Sequence, residues 1–285
     1  METTLIFHEG LELPDFASFV LLDDPAGIGA LRAYYRTYLE IARNRGVGIV
    51  LDTPTWRANR DWGERLGYSE EELADVNRRG VELLEELRQP GMALSGCIGP
   101  RGDGYRVDSA MSPDEAEEYH SAQVETFAGT SADLVSALTL TYAEEATGIV
   151  RAANQAGTPV VISFTVETDG RLPSTQPLGE AIEQVDAETA GGAAYFMINC
   201  AHPTHFESVL EPAPWLDRLR GLRANASKKS HAELDEADEL DEGDPAELAA
   251  AYAELRKRLP NLNVVGGCCG TDHRHIDAIS AAVTS

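Results

Sequence analysis

Lysine is nearly absent from this 285-residue chain: Lys228, Lys229 and Lys257 are the only three, and the other basic residues are arginines. Without a lysine at the end of an apolar run, imine chemistry of the aldolase kind has no nucleophile. Basic residues of both kinds number 23 against 48 acidic ones, a formal net charge of −25. This argues against a nucleic-acid partner, because counterion release needs a basic surface and the sequence shows no strong clustering of its arginines. The acidity itself reads as solubility or as adaptation to a salty cytoplasm. No apolar window approaches the roughly 20 residues of a membrane helix, and no basic stretch precedes an apolar run at the start, so a soluble, cytosolic protein with no membrane partner is expected. Cysteine is scarce too. Cys97, Cys200, Cys268 and Cys269 are too few for a disulfide framework and leave a metal site, a reactive thiol or plain core packing.

What is present is alternation. Short apolar runs at Thr4–Phe7, Val47–Leu51, Met92–Ile98, Leu134–Leu140, Pro159–Phe164, Ala194–Ile198, Arg218–Arg223 and Asn263–Val265 read as eight strands. Between them lie stretches of helical period, including Ile28–Arg45, Glu70–Gln89 opened by Ser69, and a helix opened by Ser112 with Pro113 and Glu115 in a capping-box pattern. Strands alternating with helices pair in parallel through right-handed crossovers. The length favours a closed barrel over a doubly wound sheet, so the predicted fold is α/β, a single (β/α)8 barrel over residues 1–285. An acidic insertion at about 228–247 follows the seventh strand and reads as a solvated face or, alternatively, a lid over the barrel mouth.

Cys200 ends one apolar run, and Cys268 and Cys269 end another. In a barrel both tips open onto one face. Three thiolates suit zinc, which takes sulfur in tetrahedral geometry and with three protein ligands keeps a fourth position open. Neighbouring side chains on a regular strand point to opposite sides, so Cys268 and Cys269 need the turn that Gly266, Gly267 and Gly270 permit. The vicinal pair also allows a redox switch, and Cys97, with no partner motif, reads as core. His202, His205, His273 and His275 lie nearby and are read as supporting or helix-capping groups rather than ligands, since a fourth protein ligand would close the site.

Gly266-Gly-Cys-Cys-Gly-Thr271, with Asn199-Cys200 about seventy residues earlier, resembles the zinc signature of the homocysteine S-methyltransferase family, which includes betaine–homocysteine methyltransferase and the homocysteine domain of cobalamin-dependent methionine synthase. Thr53-Pro-Thr-Trp-Arg-Ala, Gly96-Cys-Ile-Gly-Pro and Val161-Ile-Ser-Phe-Thr resemble further family segments. The resemblance implies a (β/α)8 barrel and Zn2+ on Cys200, Cys268 and Cys269, with substrate contacts from Glu9, Thr53, Thr139, Ser163 and Asn199. It implies that the bound ion stabilises a small acceptor thiolate, which attacks the methyl group of a small soluble donor such as S-methylmethionine, S-adenosylmethionine or a betaine. Homocysteine giving methionine is the leading acceptor. The alternatives are another small thiol or selenol, or a zinc-binding barrel without catalysis. Two positions depart from the pattern: His8-Glu9-Gly10 replaces the family's Asp-Gly-Gly, and Leu138-Thr139 replaces its Glu-Thr. Those family carboxylates hold the amino-acid end of homocysteine. Glu9 is the only carboxylate left in the two motifs, which predicts weak turnover of homocysteine and better turnover of a thiol without an amino-acid head.

Overall fold

Every apolar run after the first becomes a strand. In the computed structural model, which describes residues 1–107, 109–237 and 239–284, these are β1 (Ile49–Asp52), β2 (Met92–Ile98), β3 (Leu134–Leu140), β4 (Val160–Phe164), β5 (Tyr195–Asn199), β6 (Leu219–Ala224) and β7 (Val264–Gly267). All neighbours are parallel and the order along the sheet is the order in sequence. The helices are α1 (Pro25–Arg45), α2 (Arg60–Arg65), α3 (Glu70–Glu85), α4 (Pro113–Ala128), α5 (Ala143–Ala156), α6 (Leu178–Thr189), α7 (Pro203–Phe206), α8 (His231–Asp235), α9 (Pro245–Arg258) and α10 (His273–Thr284). Their starts are chemically marked. Asp24 accepts from Ala26 N and Gly27 N, and Ser69 and Ser112 each close a reciprocal capping box with Glu72 and Glu115.

The predicted first strand is not formed. Thr4–His8 is instead a single π-helical turn, in which Glu9 N donates to Thr4 O at 3.2 Å and Leu11 N donates to Leu5 O at 2.9 Å. Leu5 is buried beside Phe19, Leu31 and Leu84, and His8 Nε2 lies 2.9 Å from Glu242. A run of four residues carries too little period to separate a strand from a helical turn, and here local bonds and one buried leucine decide. The result is a curled sheet of seven parallel strands rather than the closed eight-stranded barrel expected.

Successive residues of each strand face opposite sides. Val135, Ala137, Ile162, Phe164, Phe196, Ile198, Leu222 and Ala224 are fully buried in the main apolar core, together with Ala146, Ile149, Ile182 and Tyr252 of the covering helices. Each buried valine, leucine, isoleucine or phenylalanine among them contributes roughly 1.5–3 kcal/mol, and each alanine roughly 0.8 kcal/mol or less. The other face, inside the curl, carries Asp52, Ser136, Leu138, Met197 and Arg223 and borders a cavity of about 830 Å³ that reaches the gap between β1 and β7. Two ion pairs bridge that gap: Arg45 to Asp277 between α1 and α10, and Arg223 to Asp52 between β6 and β1, both at 2.6 Å.

Candidate metal centre

The carboxyl ends of β5 and β7 bring the two cysteine segments together. Cys200 follows β5 in the left-handed region (φ 54°), a conformation rare for a residue with a side chain and a mark of a constrained position. Its N–H donates to Arg223 O at 3.1 Å, and Cys268 N donates to Ala224 O at 2.8 Å, so both segments are pinned to β6. The turn after Cys269 depends on Gly270 at φ 75°, where a Cβ would also strike Asp241 O. Gly267 stays extended and is small for another reason: a Cβ there would meet Thr271. The sulfurs of Cys200, Cys268 and Cys269 all lie within 4.8 Å of one another. Cys200 and Cys268, with Cα atoms 5.4 Å apart, are joined as a disulfide, and Cys269 Sγ is 4.0 Å from Cys200 Sγ. The sulfur–sulfur bond thus links the two strand tips, not the vicinal pair.

Asn225 organises both tips. Its Nδ2 donates to Cys200 O at 3.0 Å while its Oδ1 accepts from Cys269 N at 3.1 Å. His231 Nε2 donates to the same Cys200 carbonyl at 2.7 Å, and its ring stacks on Tyr105 with centroids 4.2 Å apart. The Tyr105 hydroxyl is 3.5 Å from Cys269 Sγ. Burial pushes the Cys269 thiol up, and that hydroxyl opposes the shift. Sequence reasoning singled out neither Asn225, Tyr105 nor His231. Asn225 was findable, because it directly follows a strand whose tip opens onto the same edge.

The expected contact residues divide. Asn199 Oδ1 accepts from Thr139 N at 2.9 Å and from Ser163 Oγ at 2.6 Å, and its Nδ2 donates to Thr139 Oγ1 at 2.8 Å and faces Cys268 Sγ at 3.9 Å. Thr139 holds a positive φ of 65° beside a register shift in β3, an unfavourable state for a β-branched residue. Thr53, Thr139, Ser163 and Asn199 are all buried, but Thr53 Oγ1 is engaged with Cys97 N and Thr55 rather than with the clustered sulfurs of Cys200, Cys268 and Cys269. Glu9 is exposed at the end of the N-terminal turn. Cys97 is buried, and burial pushes its thiol well up. His202 caps α7, its own basicity pushed down to about 4 by burial, and His275 bonds Asp272; neither has a contact with a cysteine sulfur. In the acidic insertion, where Asp238 lies outside the described residues, α8 places His231 against the site and Asp241 accepts from Ser227 Oγ at 2.8 Å.

The donor set fits zinc. A tetrahedral ion with bonds of roughly 2.3 Å needs sulfurs roughly 3.8 Å apart. The Cys200–Cys269 separation is already 4.0 Å, and reduction of the Cys200–Cys268 bond frees the third thiolate.

A curled parallel βα sheet with a sulfur cluster at its carboxyl edge places the chain among the barrel-type folds that build their sites from strand tips. The model of the homocysteine S-methyltransferase family matches residues 1–283, and the chain belongs to that family. It is 26% identical to rat betaine–homocysteine S-methyltransferase 1 over 88% of its own length, and 27% identical to the Bacillus subtilis homocysteine S-methyltransferase YbgG over 70%. The chain spans 63% and 64% of those relatives' lengths. Among solved structures, the metallated form of the Escherichia coli homocysteine methyltransferase MmuM superimposes with a TM-score of 0.75, covering 99% of this chain and 93% of that one at 18% identity. That likeness is one of fold.

Proposed function

We propose that this protein transfers a methyl group from a small sulfonium or ammonium donor to a small thiol, homocysteine giving methionine, at a zinc ion held by Cys200, Cys268 and Cys269. The observation that carries the reading is the convergence of three sulfurs within 4.8 Å at one edge of the sheet. When bound, zinc supplies Lewis-acid stabilisation of an acceptor thiolate at neutral pH.

The chain's own residues do the positioning. Asn225 and the Arg223 and Ala224 carbonyls fix the backbone of both cysteine segments, so the sulfurs are oriented before any ligand arrives. Asn199, locked by Thr139 and Ser163, presents its amide to the Cys268 side of the cluster. The Tyr105 hydroxyl lies against Cys269 Sγ, and its ring is held there by stacking on His231.

The test is methyl transfer by the reduced, zinc-loaded chain from S-methylmethionine, S-adenosylmethionine or betaine to homocysteine and to other small thiols, read by mass spectrometry. Methylated homocysteine is the expected product. A chain that holds one zinc and yet methylates no thiol from any of these donors is a binding protein, and the proposal is then wrong.

A further inference from the structure

The family's two head-group carboxylates are replaced by His8 and Leu138, yet the interior of the curl holds a carboxylate and a guanidinium that no motif predicted. Asp52 ends β1, and Arg223 lies in β6 directly between Asn199 of β5 and Gly266 of β7. Arg223 is therefore on the strand between the two that carry the cysteines, and its guanidinium reaches across the gap to Asp52 of β1. Gly266 precedes Cys268 by two residues, about 7 Å along an extended chain. A Cβ at Gly266 would come within 3.2 Å of Arg223 Cγ, so the missing side chain leaves the arginine its place.

Asp52 and Arg223 are not fully used by each other. Arg223 Nη1 donates to Asp52 Oδ2 at 2.6 Å, and its Nε faces Gly267 O at 3.5 Å. Asp52 Oδ1 is buried with no hydrogen-bond partner among the described residues. The side chains keep 19% and 27% exposure, and both line the cavity of about 830 Å³, next to Leu138, Ser136 and Met197; that cavity also reaches Gly266 and Gly267, the residues just before Cys268. As a stabilising device the pair is poor, because desolvating two charges commonly costs as much as their attraction returns. As a receptor its geometry has a clear complement. A carboxylate with an open oxygen matches an ammonium, and a guanidinium matches a carboxylate.

We infer that Asp52 and Arg223 read the zwitterionic head of an α-amino-acid thiol, Asp52 taking the ammonium and Arg223 the carboxylate, while the apolar Leu138 and Met197 pack against its methylene chain. The inference rests on the thiol-acceptor reading of the cysteine site. It replaces Glu9 as the group facing the ammonium and reverses the expectation that a thiol without an amino-acid head is preferred.

The test is calorimetric binding to the reduced zinc-bound protein of L-homocysteine, of 4-mercaptobutanoate, which lacks the ammonium, and of 3-mercaptopropylamine, which lacks the carboxylate. Native protein should bind homocysteine at least about tenfold more tightly than either analogue. Asp52→Asn should abolish the preference over 4-mercaptobutanoate while leaving the affinity for that analogue within about threefold. Arg223→Gln should do the same against 3-mercaptopropylamine. Because each single change leaves one charge behind, the doubly neutral Asp52→Asn/Arg223→Gln protein is measured alongside and should bind all three thiols equally. A full homocysteine preference in the double variant, or no preference in the native protein, overturns the inference. Since the readout is binding, discrimination without methyl transfer sinks the proposed activity alone, and methyl transfer to homocysteine with discrimination unmoved by either change sinks this assignment alone.

Discussion

At the scale of single residues, Asn199 ties three strands together beside the sulfurs. One amide joins β3, β4 and β5 through Thr139 and Ser163. Removing it takes the partner from a buried N–H and two buried hydroxyls, those of Thr139 and Ser163, and an unpaired buried group costs about 1–3 kcal/mol before relaxation. We predict that Asn199→Ala lowers unfolding stability by about 2–4 kcal/mol and weakens zinc retention as Thr139 relaxes from its positive φ. Denaturant melts with metal analysis check this, and unchanged stability would show that the three bonds are ornamental. The cysteines separate in the same way. Cys200→Ala, Cys268→Ala or Cys269→Ala should release most of the zinc, whereas Cys97→Ala, buried and away from the cluster, should keep about one ion per chain. Full zinc in the Cys268→Ala protein would remove the site assignment.

Elements were legible where their signals were long. The helices opening at Ser69 and Ser112 begin where the capping pattern says, since a cap satisfies a fixed set of orphan N–H groups whatever the tertiary context. Ser112→Ala should lower stability by about 1 kcal/mol, measured as a small fall in melting temperature. In both boxes the glutamate accepts from the cap's backbone and hydroxyl, which holds Glu72 and Glu115 below the ordinary carboxylate range. Their contribution is therefore full above that range and is lost as pH falls through it. Seven of the eight strands were read to within a residue or two. The cysteine tips were legible because an apolar run fixes where a strand ends, and the fold fixes which way the ends face. Thr4–Phe7 was not, because its fate depends on Leu5 finding the pocket of Phe19 and Leu31 and on His8 meeting Glu242, contacts remote in sequence. Leu5→Ala should accordingly cost about 2–5 kcal/mol; a loss below about 0.5 kcal/mol, the size of an ordinary surface change, would mean that the turn is not anchored as described. Asp52 and Arg223 were invisible for a similar reason. They are 171 residues apart, and only the curl of the sheet makes them neighbours.

For the molecule as a whole, a net charge of −25 sets self-repulsion against the compact state. Moderate salt screens that repulsion, so the melting temperature should rise between low and physiological ionic strength; a fall would mean that the arginine–carboxylate pairs outweigh the excess acidity. With Cys200 and Cys268 joined, Cys269 is the one thiol left in the cluster, and holding a metal on all three sulfurs requires the reduced form. The most direct measurement is therefore zinc X-ray absorption on the reduced, zinc-loaded chain before and after addition of L-homocysteine. Three sulfur ligands at roughly 2.3 Å, rising to four when the thiol is added, is the predicted result. A first shell of nitrogen and oxygen, or a sulfur count that the thiol leaves unchanged, would contradict it.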